Sequence, residues 1–576
     1  MATLDTELLH AARTEDLDLQ QIKELAVLGD FEKETVAKLK IAGSHLIQGA
    51  RGIGKSMLLR EAEAELDNSF EKERNIGVYV NFKTSTLLEG VKADNKNAFQ
   101  IWVSAKIIQA LYEKLISLDL IRDGGTKDPF KKIFGIDTIN GMKDALQSKI
   151  HLLQRLSRES SPQSLIKEIG DDFLDKVNDI SYVNDIIRDI IQEYNLNRVV
   201  FLFDEAAHTF IPEQQEIFFE IFKLLHGGKV AVKAAVYPSI TSYGKNFEVG
   251  QDAILIHLGR YETGNVGRES TRRLYRELIQ KRIGKESALK KILAKGDLLD
   301  QCIHLSSGNP RAFLHLFNKV YERGYTERDL LSSTQDYVDQ ELLPYHLGLS
   351  KRLPKYSHHV RIGLDILREY IIPELRIKNS RERKTQTQTA FFTLPRDISP
   401  NLRLSMDLLC YSGVLSKQGT VKISNRKSGQ RYMVNLSLMF TEKAFVSNKF
   451  SDIIKLLSLS DYKEFSSFDS DLISFLEKLK ESADECQECS AELAGDAKFC
   501  SNCGHPVPNI SIVGQLLDDP VEKLSISKAI CDRIKIVFPK IGDIVHSSRA
   551  ELKKIPYIKD VRSRIIKNAA DEYISG

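Results

Sequence analysis

Residues 41–62 read IAGSHLIQGARGIGKSMLLREA. Residues 45–48 form a short strand candidate, Gly49-Ala-Arg-Gly-Ile-Gly54-Lys55-Ser56 is a loop, and Met57–Glu65 has helical character. The loop fits G-x-x-x-x-G-K-[ST] in full. Its glycines let the backbone turn tightly, so that successive N–H groups and the following helix N-terminus point at phosphates. Lys55 would reach the β- and γ-phosphates of a nucleotide, and the Ser56 hydroxyl would ligate magnesium. The expected contacting set is Gly49, Arg51, Gly52, Ile53, Gly54, Lys55, Ser56 and Met57.

A loop of this kind needs a partner strand, and Asn197–Ala206, NRVVFLFDEA, supplies it. Its unbroken apolar run, Val199–Phe203, suits a parallel strand buried on both faces. Ligands of open α/β sheets bind at the carboxyl ends of strands, where Asp204 and Glu205 stand. Asp204 suits the magnesium shell, and Glu205 would polarise an attacking water as general base. The catalytic set expected is therefore Glu205, Asp204 and Lys55. Ile76–Phe82 and Val230–Tyr237 extend the sheet, and Ala253–Leu258 is a plausible fifth strand. Ser239 or Thr241, beyond Val230–Tyr237, is either a γ-phosphate sensor or turn chemistry after Pro238. Between Lys83 and Asn197 lies a long insertion whose Ala98–Leu118 carries apolar residues at helical spacing. Such a stripe is core or, failing that, a partner surface.

Further on, Ser270–Val320 has helical pattern and contains SSGNPRAFLHLF, with Gly308-Asn309-Pro310 opening a helix and Arg311 on its first turn. Residues 351–450 hold 19 Lys and Arg against 7 Asp and Glu, and residues 521–576 hold 12 against 7. The chain's net charge is only +3, so the remainder is acidic. A basic segment on an acidic body is an electrostatic footprint for nucleic acid. Val360–Tyr370 and Asn401–Leu415 read as helices. Thr420–Ser424 and Tyr432–Leu438 read as strands around the basic turn Asn425–Gly429. That pattern suggests a winged helix whose wing offers Arg426, Lys427 and Arg431 to double-stranded DNA. The run Arg376–Lys384 adds phosphate partners or is a mobile loop.

The order of these parts resembles the origin-recognition (replication-initiator) AAA+ ATPases, over roughly residues 20–450, and shares features with the related STAND signalling ATPases. The resemblance implies an α/β P-loop fold with a parallel sheet, helical lid and winged helix. It also implies ATP as ligand, and Arg311 as a lid arginine on the γ-phosphate. An arginine finger from a neighbouring subunit of a homo-oligomer falls to Arg260, Arg268 or Arg272. The function implied is an ATP-dependent DNA-binding ATPase that assembles on DNA and recruits partner proteins; mobile-element handling or phage defence fits its accessory modules. The alternative is a STAND-like ATP-switched scaffold that does not bind DNA.

Residues 486–506 read CQECSAELAGDAKFCSNCGHP. Cys486, Cys489, Cys500 and Cys503 make two knuckles able to close a tetrahedron around structural zinc, with His505 a neighbour. The ending resembles small bacterial zinc ribbons. Six acidic residues and one basic across 481–510 favour protein docking. Ile536–Ile566 resembles small helix-hairpin-helix domains, with Tyr557 and Lys559 where DNA-binding versions carry glycines. Lys553, Lys554, Lys559 and Arg562 would still grip phosphate, so DNA and protein docking both stand for this segment.

A chain of 576 residues suggests about three to five units at roughly 150 residues each. The expected division is 1–265 core with insertion 84–196, 266–345 lid, 346–450 winged helix, 451–482 linker, 483–508 zinc ribbon and 520–576 hairpin domain. No apolar run reaches the roughly 18 residues of a membrane span. The N-terminus has no basic-then-apolar leader. Four of seven cysteines crowd into one stretch, which fits a metal site in a reducing compartment. A cytoplasmic location without membrane association is expected.

Overall fold

Five parallel strands make the sheet on which the chain is organised: β1 (Ser44–Gln48), β2 (Asn75–Asn81), β3 (Arg198–Asp204), β4 (Val230–Val236) and β5 (Ile254–His257). Their order is β2-β3-β4-β1-β5. The protein is seen as a computed structural model that describes residues 14, 17–84, 98–122, 130, 136, 138–156, 162–205, 212–238, 240–258, 265–283, 286–353, 356–381, 387–396, 398–422, 428–458, 460–466, 502–504, 516–524 and 526–575.

Alternation along β3 explains its apolar run. Val199, Phe201 and Phe203 face one layer with Phe82, Trp102 and Phe218. Val200 and Leu202 face the other, with Leu59, Ala62 and Leu66. Side chains of a strand alternate between faces, so a strand covered on both sides must be apolar throughout. The second layer is α1 (Lys55–Glu73), the helix that follows the glycine-rich loop. The first layer is the insertion: α2 (Ala98–Ser117), α3 (Ile139–Leu156) and α4 (Ile180–Glu193), with α5 (Pro212–Leu225) beside them. The stripe on α2 is thus core, and Trp102 packs on Phe82 with ring centroids 5.8 Å apart.

Helices Asn265–Arg282, Glu286–Ala294, Gly296–Leu305, α6 (Pro310–Arg323) and Glu327–Tyr337 make up the helical region expected as the lid, and that name is kept for it. The last runs through a π-helical stretch, Val338–Leu342, straight into α7 (Leu343–Arg352). The helix therefore crosses residues 345–346, the expected boundary between lid and basic domain. One hydrophobic cluster, from Tyr275 to Phe465, unites the lid with the basic region.

The basic region differs in detail from its sequence reading. The helix expected at Val360–Tyr370 is Ser357–Asp365, continued by a π-helical stretch to Ile371 and by Ile372–Arg381. Arg376 to Arg381 are thus helical rather than a loop. Strand β6 (Phe391–Pro395) has no counterpart in the sequence reading; it precedes α8 (Pro400–Tyr411). The chain then turns into β7 (Leu415–Lys422) and β8 (Ser428–Val434). Residues 436–438, read as strand, begin the helix Leu436–Thr441, because Asn435 caps it by accepting from the N–H groups of Ser437 and Leu438. The sheet order is β7-β8-β6-β9, with β9 at Lys463–Glu464. Helix Phe450–Leu456 and β9, in the stretch read as a linker, pack into the same core, since Phe450, Ile453 and Phe465 are apolar and buried there.

Residues 516–575 carry a separate core of Ile534, Ile541, Ile544, Leu552, Ile558 and Ile566. It joins short helices to α9 (Asp560–Ser575). Tyr557, before α9, has φ of 67°, so the turn takes the left-handed form that favours glycine although a tyrosine stands there. Among the described residues no helix is long and apolar enough to cross a membrane.

Candidate nucleotide site

The carboxyl ends of β1 and β3 bring the expected residues to one edge of the sheet. Gly52 and Gly54 have φ of 82° and 100°, conformations that the loop needs and that only glycine adopts without strain. Gly54 is also the N-cap of α1, so the helix N-terminus and its free amides open toward the loop. Lys55 and Ser56 occupy the first turn of α1, while Met57 packs against Leu17 and against Ile22 and Leu25 of the helix Leu19–Leu25. Ile53 packs under Gly49, where an added Cβ would sit 2.7 Å from its Cγ2.

Lys55 is buried, and its Nζ donates to the carbonyl oxygens of Gly49 at 2.8 Å and Ala50 at 3.0 Å. Burial pushes its ammonium well below the usual lysine range, and Glu205 and Asp204 counter that push. Asp204 is buried too: its Oδ2 accepts from the Tyr79 hydroxyl at 2.7 Å and its Oδ1 from the Glu205 N–H at 3.0 Å. Glu205 has φ of 56°, a left-handed backbone that costs a non-glycine residue about 1–3 kcal/mol and is characteristic of functional sites. Its Oε2 accepts from the Tyr237 hydroxyl at 2.7 Å. Burial, followed by the Glu205 charge, raises the Tyr237 phenol far above its ordinary value, so it stays protonated and donates.

The lid closes directly on the loop. Asn309 Nδ2 donates to the Arg51 carbonyl at 2.8 Å, and the Arg311 N–H reaches the Gly52 carbonyl at 3.3 Å. A Cβ on Gly52 would lie 2.7 Å from Asn309 Oδ1 and 2.9 Å from Arg311 Cβ, so this glycine is required by the approach as well as by its φ. Arg311 and Arg51 both add positive charge at Lys55. Arg51 Nη1 donates to the Tyr345 hydroxyl of α7 at 2.8 Å. At the seam of loop, lid and the β7–β8 hairpin lies a cavity of about 350 Å³, bordered by Ile53, His257, Ser307, Asn309, Lys417 and Gln430.

Magnesium fits the donor set as a partial shell. Ser56 and Asp204 offer hard oxygens, and no cluster of three or more His, Cys, Asp or Glu able to hold a metal occurs among the described residues. A cation held by two protein oxygens and completed by phosphates and water is the usual magnesium arrangement. Of the cysteine knuckles, Cys486, Cys489 and Cys500 lie outside the described residues, and Cys503 is exposed.

Other expected residues find different places. Ser239 and Arg260 lie outside the described residues, as do Arg426 and Lys427 and the side chain of Arg268. Thr241 Oγ1 donates to the Tyr237 carbonyl at 2.9 Å and accepts from the Tyr237 N–H at 3.2 Å, which is turn chemistry. Arg272 pairs within the lid with Asp300 at 3.3 Å. Arg431 lies over the Phe391 ring, 5.3 Å from its centroid. Sequence reading missed Tyr79, Tyr237, Asn309, Tyr345 and Tyr411. The carboxyl-edge rule could have flagged Tyr237, which directly follows β4; nothing local points to Tyr345 or Tyr411. It also missed exposed Arg396 and Arg403, which adjoin the hairpin: Arg396 Nη2 donates to Thr420 Oγ1 at 2.9 Å, and Arg403 Nη2 to the Arg396 carbonyl at 2.6 Å.

A match to a known family agrees with this geometry. Residues 10–295, which hold the sheet, the insertion and the first of the helices after it, match the model of the ORC-CDC6-like family. The solved structure of the Aeropyrum pernix ORC1 protein in complex with DNA is similar at 12% identity and a TM-score of 0.28, covering 74% of this chain and 95% of that one. No curated protein matches.

Proposed function

We propose that this chain is an ATP-hydrolysing, DNA-binding AAA+ ATPase whose lid reports the nucleotide to a basic DNA-binding module. One observation carries the reading: Lys55, Asp204 and Glu205 converge at the sheet edge beneath a lid whose Asn309 and Arg311 sit on Gly52. The ORC-CDC6-like character of residues 10–295 supports it.

ATP would lie along the Gly49–Ser56 loop, its phosphates met by backbone amides and the N-terminus of α1. Lys55 would exchange the Gly49 and Ala50 carbonyls for the β- and γ-phosphates. Ser56 and Asp204 would hold magnesium, which when bound offsets charge on the phosphate oxygens. Glu205 would accept a proton from the attacking water as its oxygen bonds to the γ-phosphorus. The bond from that phosphorus to the β,γ-bridging oxygen breaks, and ADP and inorganic phosphate result. Arg311 would neutralise the transferring group from the lid side.

The module from α7 to β9 would take duplex DNA mainly through phosphates. The 19 basic residues against 7 acidic in 351–450 support this, as do Arg396, Arg403 and Lys417, exposed around the β7–β8 hairpin. A winged-helix role for α8 and that hairpin, with Arg426, Lys427 and Arg431, belongs to the same reading. Zinc at Cys486, Cys489, Cys500 and Cys503 rests on their spacing.

The test is ATP turnover with and without duplex DNA, wild type beside Glu205→Gln. The variant should bind ATP and DNA normally and lose about 10²–10⁴-fold in turnover. Wild-type-like hydrolysis would overturn the role of Glu205. Arg396→Ala and Arg403→Ala should each weaken DNA binding and lower the salt dependence of the binding constant by about one phosphate contact.

A further inference from the structure

The hydroxyl of Tyr237 occupies one oxygen of Glu205, the carboxylate that must take a proton from water. A carboxylate oxygen that accepts from a phenol is less basic and is turned toward its donor. Tyr237 is itself wedged. Lys55 Nζ lies 4.0 Å from its ring centroid, and the Tyr411 ring meets it edge-on at 4.9 Å and 70°. Tyr411 ends α8 and is fully buried. It hydrogen-bonds Tyr345 on α7, and Tyr345 accepts from Arg51 in the glycine-rich loop. Leu349, Leu353, Val360 and Leu408 enclose Tyr237 and Tyr411 in one apolar cluster. The contacts thus run from the loop through the basic module and back to Glu205.

We propose that Tyr237 is a positioning residue that holds Glu205 in a resting orientation, and that α7 and α8 set this hold through Tyr345 and Tyr411. This rests on the ATPase reading above and adds to it a route by which DNA on the basic module reaches the hydrolytic carboxylate. Phosphate drawing Lys55 off the Tyr237 face, or DNA shifting α8 with Tyr411, removes a brace from Tyr237. Glu205 then turns to the water. Arg51 makes the coupling two-way, since the same loop that receives phosphate also anchors Tyr345.

Tyr237→Phe keeps the ring, its packing on Tyr411 and the Lys55 contact, and deletes only the hydroxyl. It should raise kcat for ATP without DNA about three- to tenfold, leave KM and the affinity for a fluorescent ATP analogue within twofold, and shrink stimulation by duplex DNA. Tyr411→Phe, which keeps its ring and loses the bond to Tyr345, should lower DNA stimulation at least twofold. A fall in kcat of Tyr237→Phe to the level of Glu205→Gln would overturn the proposal, because the phenol would then assist attack. Unchanged kcat and unchanged DNA stimulation would overturn it too. Wild-type turnover that does not depend on Glu205 would instead defeat the ATPase reading, so the two failures are distinct.

Discussion

Two lysines lie buried against the same sheet, and they do different work. Lys55 at the carboxyl edge faces Glu205 and Asp204 under the lid. Lys233, on β4, reaches back toward the amino edge, where its Nζ donates to the Gly43 carbonyl at 2.6 Å and meets His45 Nδ1 at 2.9 Å. Burial lowers both, Lys233 to about 7 with Arg198 adding to the effect. His45 is pushed down to about 4, by burial first and Lys233 second. A depressed ammonium therefore reports burial first and does not by itself mark a site. Its neighbours separate the two, and they are what the proposed nucleotide role of Lys55 rests on: carboxylates, a glycine loop and a lid at Lys55, but a carbonyl and an imidazole at Lys233.

The sharpest way to break this contrast is Lys55→Met. It should weaken ATP affinity by about 100-fold or more, the cost of losing a desolvated charge contact to phosphate. Fluorescent-analogue titration checks it, and near-normal affinity would place the phosphates elsewhere. Next in size is a pH effect at Lys233. Its folded amine loses its proton near 7, whereas the unfolded one, at the ordinary lysine value of 10.5, holds it much longer. Between those values the unfolded chain carries more protons, so stability rises with pH across that window, by up to about 1.4 kcal/mol per pH unit from this group. Below 7 both states are protonated and the contribution is flat. Denaturant titrations of wild type and Lys233→Met should therefore differ in slope from pH 7 toward 10.5, and parallel curves would refute the assignment. The smallest effect expected is that of Lys233→Met on ATP affinity, which should stay within about twofold of wild type because its contacts are with Gly43 and His45.

Much of this site was legible from short spans of sequence. Gly49–Ser56 and Asp204-Glu205 were readable because a glycine-rich turn into a helix and a carboxylate pair after an apolar run are patterns of a few consecutive positions, and each stands where a strand ends. The strands were readable from equally short spans, since β3 is apolar from Val199 to Phe203 and borders turn residues. The basic region was less legible. Strand β6 and the helix after Asn435 depend on which partners happen to lie alongside, and Asn435 had to be recognised as a cap inside an apolar stretch. The linker expected at 451–482 concealed Ile453 and Phe465, which, like Phe450 just before it, look ordinary singly and become core only against the lid and the basic region, where Phe465 meets Tyr370 and Phe392.

The sequence by itself determined that a glycine-rich loop of G-x-x-x-x-G-K-[ST] spacing opens a helix, that two carboxylates follow the central strand, and that Arg311 stands on the first turn of a helix. Those facts are local, spanning a turn of helix or the end of a strand. Only the tertiary structure decided that Tyr237 covers Glu205 and that Tyr345 meets Arg51 across 294 residues of chain. A contact at that separation leaves no periodicity or spacing to read; it arises when apolar faces pack and bring a hydroxyl within reach of a charge.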